Sequence, residues 1–319
     1  MLRILTFSDL HTHLFRQFSS MGSRLEHIIS IIPEIFKIAS ERGCTAIFFE
    51  GDWNHEQGKW GTLALNRSIE ELHKAEEMYP GLTIYAISGN HDHQWKNIIG
   101  NESPSALTAL ADACPNFKVM DYGYVEFDGV RFIGIPYMEF PDEFITVLES
   151  SSEYVDLSMK NVLLMHQVPS GSKDPIPAQV DSNHPLFDPF VLVLNGHVHR
   201  YQIINERLIT VGSPIHHDLG DIGQTKGVLI IEFPDDEGPL RMERIPIVRP
   251  EFRRVKYGEI IPEEWKSDYI VMDPPPAEEL GAVNQEQFSS AQSPNLIVQA
   301  YGEHEKIDQV LIDKGLSLL

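Results

Sequence analysis

The chain has 319 residues, of which 42% are hydrophobic and 23% charged, and its formal net charge is −22. The length allows one large α/β domain with an appendage or two ordinary domains, and the composition is typical of a soluble globular protein. The acidic balance argues against a surface that grips nucleic acid by charge alone, because such surfaces are basic. No apolar run approaches the length of a membrane-spanning helix.

The cysteines and the first residues indicate where the protein works. Cys44 and Cys114 are too few to form a disulfide framework. Residues 1–8 form too short an apolar stretch for a secretory signal, and they predict a first strand instead. We therefore expect a reducing, cytoplasmic setting and no membrane attachment.

Along the chain, short apolar runs alternate with stretches of helical period. Helices are predicted at 22–42 and 63–78. Pro33 lies inside the first of them, so we expect a kink or two abutting helices there. Strands are predicted at 3–8, 45–50 and 82–87, as pairs within 117–135, and at 161–165, 191–194, 201–211, 226–233 and 239–247.

The pattern changes after Pro250. Strands are plausible at 252–257, 268–272 and 295–301, with a helix at 303–314. We interpret residues 1–249 as one large domain and residues 250–319 as a small accessory domain or cap.

Polar motifs begin five times where an apolar strand stops. Ligand sites of open α/β sheets lie at the carboxyl ends of strands, so loops from distant parts of the chain can converge on one cleft. Antiparallel hairpins in the second half favour an α/β sandwich: two stacked mixed β-sheets flanked by helices, with a small C-terminal α+β cap. The strand-end motifs supply Asp9, His11, Asp52, Asn90, His166, His197 and His199.

These seven side chains have the chemistry of a divalent metal site. Carboxylate, imidazole and amide ligands without thiolates suit Mn²⁺, Fe²⁺ or Zn²⁺. In the Asp9-x-His11 and His197-x-His199 spacings, alternate side chains of an extended segment lie on one side. Seven ligands are too many for one tetrahedral ion, but they suit two ions that share a bridging carboxylate and clamp a phosphoryl group.

The motifs, in their order along residues 1 to about 235, resemble the signature of the calcineurin-like metallophosphoesterases. The resemblance implies that one metal is bound by Asp9, His11, Asp52 and His199, and a second by Asp52, Asn90, His166 and His197. It also implies that His91 contacts the scissile phosphate and protonates the leaving group. Asp92 is expected to orient His91 through a hydrogen bond.

Finer features resemble the SbcD-type nucleases of double-strand-break repair and their viral relatives. In that branch a histidine three residues after the bridging aspartate assists nuclease activity, and His55 stands at this position. His166-Gln167, Gly212-Ser-Pro214 and Lys226-Gly227 are similar to further motifs of the branch. Trp53 and Asn54 depart from its usual apolar and aromatic pair, and the cap is short.

The resemblance implies a two-metal phosphodiesterase, a DNA exonuclease or endonuclease that attacks in line with a metal-bridging hydroxide. It favours Mn²⁺ as the metal, with Fe²⁺, Zn²⁺ and Mg²⁺ open. Expected partners are DNA, an SMC-like ATPase of the SbcC type, and a second copy of the chain in a homodimer. Two alternatives stay open: a phosphatase or cyclic-nucleotide phosphodiesterase for small substrates, which the charge of −22 favours, and a non-catalytic metal-binding scaffold.

Overall fold

The computed structural model describes residues 1–15, 23–94, 104–174, 176–235, 238–256, 259–265, 267–273 and 296–298. The chain divides into two compact units. The larger comprises Met1–His13, Ile28–Ile215 and Thr225–Val248, and the smaller comprises Leu14–His27, His216–Gln224 and Arg249–Leu319.

The first sheet of the larger unit has six strands in the order β12-β11-β1-β2-β3-β4. Strands β1 to β4 run parallel to one another, whereas β11 pairs antiparallel with both β1 and β12. The parallel strands therefore end at one edge of the sheet. The strand bounds are Leu2–Phe7 (β1), Ala46–Phe49 (β2), Ile84–Ala86 (β3), Phe117–Val119 (β4), Gly227–Phe233 (β11) and Arg241–Pro246 (β12).

The second sheet has six strands in the order β5-β6-β7-β8-β10-β9. Its centre is parallel, and antiparallel pairs close both edges. The bounds are Gly123–Phe127 (β5), Val130–Gly134 (β6), Lys160–Met165 (β7), Phe190–Asn195 (β8), Gln202–Ile203 (β9) and Leu208–Thr210 (β10). The predicted strand pairs within 117–135 are thus split, because β4 extends the first sheet while β5 and β6 form a hairpin in the second.

The core of the larger unit lies between the two sheets. Alternate residues of a strand face the same side, and alternate apolar residues of β1, Leu2 and Ile4, pack with Val162 and Leu164 of β7 in one buried cluster. The rings of Phe48 and Phe132 stack across the layer with centroids 4.2 Å apart. The predicted α/β sandwich of two mixed sheets is therefore confirmed.

Five α-helices accompany the strands in the described part of the chain. The predicted helix at 22–42 is two abutting helices, and Pro33 lies in the first turn of the second, where a missing N–H is tolerated. None of the described helices is long and apolar enough to cross a membrane. The bounds are Ser23–Ile29 (α1), Ile31–Glu41 (α2), Thr62–Met78 (α3), Leu107–Ala113 (α4) and Pro141–Ser150 (α5).

The smaller unit contains a parallel three-stranded sheet of Phe252–Val255 (β13), Tyr269–Met272 (β14) and Leu296–Val298 (β15). All three strands fall within the ranges that the sequence predicts. The helix predicted at 303–314 lies outside the described residues. The smaller unit also includes Leu14–His27 and His216–Gln224. The predicted boundary at residue 250 therefore concerns only the C-terminal part of this unit, and it stays a prediction.

Candidate metal centre

The seven predicted ligands lie together, each just after a strand of the larger unit. Asp9 and His11 follow β1, Asp52 follows β2, and Asn90 follows β3. His166 follows β7, while His197 and His199 follow β8. Since these strands are parallel within their sheets, their carboxyl ends bring residues from distant parts of the chain to one place.

The backbone at these strand ends adopts an uncommon conformation. Asp9, His11, Asp52 and His197 all have positive φ angles, between 52° and 69°. Such left-handed backbone is uncommon for residues with a Cβ, although aspartate and histidine adopt it more readily than most, and strained residues of this kind cluster at functional sites. Gly196 precedes one of them, and a Cβ at this position would overlap the Glu50 carbonyl oxygen. Local packing therefore fixes the direction of the ligand side chains.

The first group of ligand atoms comes from Asp9, His11 and His199. Nε2 of His11 lies 3.1 Å from Nε2 of His199. Oδ1 of Asp9 lies 3.9 Å from the first of these nitrogens and 3.8 Å from the second. Ligands bound to one ion at about 2.1 Å lie roughly 3–4 Å from each other, so the group has the dimensions of a cation site.

The second group comes from Asp52, Asn90, His166 and His197. Nε2 of His166 lies 3.2 Å from both Oδ1 of Asn90 and Nδ1 of His197. Oδ2 of Asp52 lies 3.3 Å from Nε2 of His166 and 3.8 Å from Nε2 of His11, a member of the first group. One carboxylate oxygen therefore faces both groups, as a bridging ligand must.

Hydrogen bonding and charge prepare the two histidines of the second group for a cation. Nδ1 of His166 donates to the Glu50 carbonyl, so its Nε2 is the ring nitrogen that faces the other ligands. Burial and the neighbouring His166 lower the pKa of His197 to about 3, which keeps it in the neutral form that binds metals. Burial opposes a charge on His166 too, yet Asp52 raises its pKa to about 9. The field at Asp52 thus favours positive charge, and the donor set fits a divalent cation.

His91 and His55 lie beside the first group. The rings of His55 and His91 are nearly parallel, 13° apart with centroids at 5.6 Å. Nδ1 of His91 donates to the His55 carbonyl oxygen, which leaves Nε2 of His91 as its second functional atom. Nδ1 of His55 lies 3.4 Å from Nδ1 of His11. The structure therefore places His55 and His91 together near the predicted ligands.

Asp92 differs from the sequence expectation in its hydrogen bonds. Its carboxylate accepts from the backbone N–H groups of Asp52 at 2.7 Å, Gly89 at 2.9 Å and Asn54 at 3.0 Å. The expected bond to the His91 ring is replaced by the bond from that ring to the His55 carbonyl. Asp92 therefore holds the two loops that carry Asp52 and Asn90 rather than the His91 imidazole.

We expect Asp92→Asn to destabilise the metal-free protein by about 1–3 kcal/mol, because the amide of asparagine puts a donor where the carboxylate accepted buried N–H groups. Denaturant unfolding in the presence of a chelator measures this loss. Asp156→Asn is the matched control, since this more exposed aspartate also accepts a backbone N–H, from Ser158. Equal unfolding free energies for Asp92→Asn and the parent would contradict the bracing role.

Two motifs that follow the ligands hold His199 in place. Its carbonyl oxygen accepts from the backbone N–H of Ser213 at 3.1 Å and from Nζ of the buried Lys226 at 2.7 Å. Trp53 is fully buried, with its ring against Phe49, so it belongs to the core. The Ser213 and Lys226 motifs therefore hold the backbone of a predicted ligand.

Sequence reasoning missed two groups that contact the predicted ligands. The first is the Glu50 carbonyl, which no side-chain pattern could reveal. The second is Tyr137, whose ring lies 5.5 Å from that of His197 and 6.1 Å from that of His166, centroid to centroid. Tyr137 follows β6, and its only sequence signal is a polar aromatic residue just after a buried strand.

Comparison with known proteins agrees with this geometry. Residues 2–201 match the family described as "Calcineurin-like phosphoesterase". A protein of Invertebrate iridescent virus 6, named "Putative phosphoesterase 244L", is 28% identical over 203 residues, which cover 61% of this chain and 67% of that protein. "Putative phosphoesterase 078R" of Invertebrate iridescent virus 3 is 22% identical over 229 residues, covering 70% of this chain and 63% of that protein.

A solved structure shows the same fold. The crystal structure of a dimetal phosphatase from Danio rerio superposes with a TM-score of 0.50 at 10% identity, covering 76% of this chain and 95% of the phosphatase chain. At this identity the likeness concerns the arrangement of sheets and helices. The family match spans β1 to the last predicted ligand, His199. The chain therefore belongs to the calcineurin-like phosphoesterase family, and its clustered His and Asp side chains form the dimetal centre of a phosphoesterase.

Proposed function

We propose that the chain is a Mn²⁺-dependent phosphodiesterase that cleaves DNA, as SbcD-type nucleases do. Asp9, His11 and His199 would hold one cation, Asn90, His166 and His197 would hold the second, and Asp52, which faces both groups, would be shared between them. When bound, the two cations acidify a water molecule and neutralise charge on the phosphoryl group. The distances within each group support this assignment.

His91 supplies the proton for the leaving oxygen in this proposal. Its Nδ1 proton is held by the His55 carbonyl, so Nε2 is the atom that can donate. The His91 backbone N–H donates to Oδ1 of Asp52 at 2.8 Å, which keeps the histidine close to the bridging carboxylate. A general acid needs this kind of fixed position near the reacting atoms.

The observation that carries the nuclease proposal is the position of His55. Beyond the seven ligands and His91, the site contains this further imidazole, 3.4 Å from the ring of His11 and parallel to that of His91. A loop histidine with only a surface role would have no reason to lie there. The spacing Asp52-x-x-His55 is also the feature by which the sequence resembles the nuclease branch.

One observation favours the small-substrate alternative. DNA binding normally depends on unpaired cations that neutralise backbone phosphates. Among the described residues, several arginines are already paired with carboxylates: Arg3 with Glu232, Arg42 with Glu243, Arg131 with Glu126 and Arg207 with Asp188. A basic partner, the SMC-like ATPase of our proposal, would supply the missing positive charge.

The test compares Mn²⁺-dependent cleavage of three substrates: linear duplex DNA, a bis-aryl phosphate and a mono-aryl phosphate. We expect cleavage of DNA and of the diester, with faster DNA cleavage when an SbcC-type ATPase is added. The variant His55→Ala should lose more activity on DNA than on the aryl diester. Rapid monoester hydrolysis without DNA cleavage, with or without the ATPase, would establish the small-substrate function instead.

A further inference from the structure

Tyr137 lies against the second group of ligands without belonging to it. It follows β6, and its backbone N–H donates to the Ser88 carbonyl at 2.9 Å, two residues before Asn90. Its ring is inclined by 34° to that of His197 and by 80° to that of His166. The tyrosine ring therefore faces two imidazoles that come from different strands.

The hydroxyl group of Tyr137 is anchored at a distance from the ligands. It donates to Oε2 of Glu139 at 2.8 Å and accepts from Nε2 of Gln179 at 3.3 Å. Burial and the bond to Glu139 raise the pKa of Tyr137 to about 12. Tyr137 is thus a neutral phenol, rather than a phenolate that would bind a metal. Hydrogen bonds fix both its backbone N–H and its hydroxyl group.

Gln179 connects this tyrosine to the proline-rich segment, residues 167–189. Its backbone N–H donates to the Val168 carbonyl at 2.8 Å, and its Oε1 accepts from the Val168 N–H at 3.1 Å. Val168 follows His166 by two residues. Both hydrogen bonds therefore fix the start of the segment next to a predicted ligand.

The orientation of the His197 imidazole requires support from a neighbouring group. Its backbone has a φ of 69°, and its Nδ1 must point at Oδ1 of Asn90, 2.8 Å away. Rotation of the ring about its side-chain bonds would move the nitrogen away from the other ligands. A flat, anchored ring against one face of the imidazole opposes that rotation.

We propose that Tyr137 is a positioning residue for the second cation site, where its ring holds the His197 and His166 imidazoles and its hydroxyl ties them to the proline-rich segment. The inference rests on the proposed assignment of His166 and His197 to one cation. Groups that support metal ligands without touching the metal typically contribute about 10–100-fold to metal affinity.

The test measures equilibrium Mn²⁺ binding by the electron paramagnetic resonance signal of free Mn²⁺, for the full chain and three variants. Tyr137→Leu removes the ring, and Tyr137→Phe keeps the ring but removes the hydroxyl. Tyr85→Leu is the control, since Tyr85 is another partly buried tyrosine that packs on the core between the sheets. Thermal unfolding of the metal-free proteins shows whether each variant is folded.

We expect Tyr137→Leu to weaken one of two Mn²⁺-binding steps by about 10-fold or more, while the other step changes little. Tyr137→Phe keeps the ring but loses the hydroxyl anchor, so it should weaken the same step by less than Tyr137→Leu, whereas Tyr85→Leu should bind like the parent. Equal binding by Tyr137→Leu and the parent overturns the proposal. Equal weakening in Tyr137→Phe and Tyr137→Leu also overturns it, because the ring would then contribute nothing.

These outcomes are separate from those of the proposed function. A parent protein that binds two Mn²⁺ ions and shows the Tyr137→Leu effect supports the positioning role even if it cleaves no DNA. A parent that binds fewer than two Mn²⁺ ions refutes the two-cation assignment, and the positioning role fails with it.

Discussion

We expect Asp52→Asn to lower phosphodiester turnover by about 10³-fold, the kinetic equivalent of the several kcal/mol that metal ions contribute to phosphoryl transfer. The Asp52 carboxylate is almost fully buried, and its Oδ2 faces both His11 and His166. An asparagine amide carries no charge, so it can no longer draw two cations together. Metal content should fall below two ions per chain, and elemental analysis after gel filtration measures it.

The substitution is well suited to isolate the charge. The φ of Asp52 is 65°, and asparagine is among the residues that adopt this conformation most readily. Asp128→Asn is the matched control, because Asp128 is exposed in the β5–β6 turn and also has a positive φ. Full metal content and near-parental turnover in Asp52→Asn would contradict the bridging assignment, whereas Asp128→Asn should resemble the parent in both measurements.

The strand-end ligands could be predicted from the sequence because two kinds of information coincide there. Apolar runs locate the strands, and the residues just after them must converge if the sheets are parallel. That logic brought Asp9 and His199, which are 190 positions apart along the chain, to one cleft, and their ligand atoms lie 3.8 Å apart. It also requires no knowledge of the loops between the strands. The assignment of these two residues to the same metal came from the resemblance to the metallophosphoesterases.

Groups that act through the backbone could not be predicted in the same way. The Glu50 carbonyl orients His166, and three backbone N–H groups donate to Asp92. Backbone carbonyl and N–H groups do not depend on residue type, so the sequence carries no mark of them. Which of them a side chain meets depends on the turn geometry at positive φ, and hydrophobic periodicity carries no information about it. This explains why Asp92 was expected to bond the His91 ring and instead braces two loops.

The fold shows the same contrast between local and long-range information. The break near Pro33 follows from one residue's chemistry, and the structure has two helices there. The pairing of β4 with β3 depends on a crossover through residues 87–116, and period-2 patterning cannot distinguish this from a hairpin with β5. Residues 14–27 and 216–224 join the smaller unit through tertiary packing, which a composition change at Pro250 does not reveal.

Part of the negative charge of the chain lies at the metal centre, on carboxylates that bound cations would neutralise. Asp9 and Asp52 are buried side by side, and burial raises the pKa of Asp9. Two divalent cations would relieve this cost and offset part of the formal charge of −22. Metal binding should therefore stabilise the folded larger unit, since a ligand that binds only the native state shifts unfolding by mass action.

We expect His91→Ala to lower turnover by about 10²–10⁴-fold on substrates with a poor leaving group, such as an alkyl phosphodiester, because a positioned general acid contributes this much. Both cations should remain bound. His91 contacts Asp52 through its backbone N–H, which alanine retains, and the proposed assignment uses seven other side chains to hold the two cations. Steady-state kinetics together with metal analysis tests both statements.

The dependence on the leaving group distinguishes an acid from a residue that merely shapes the site. A nitrophenolate needs no proton to depart, so the loss in His91→Ala should shrink strongly on a nitrophenyl diester. His13→Ala serves as the control histidine, since His13 lies beside His55 with centroids 5.2 Å apart and pairs with Glu56. Equal losses on both leaving groups would assign His91 to phosphate binding rather than proton transfer. Unchanged turnover would remove His91 from the mechanism and leave His55 as the nearest imidazole for the acid.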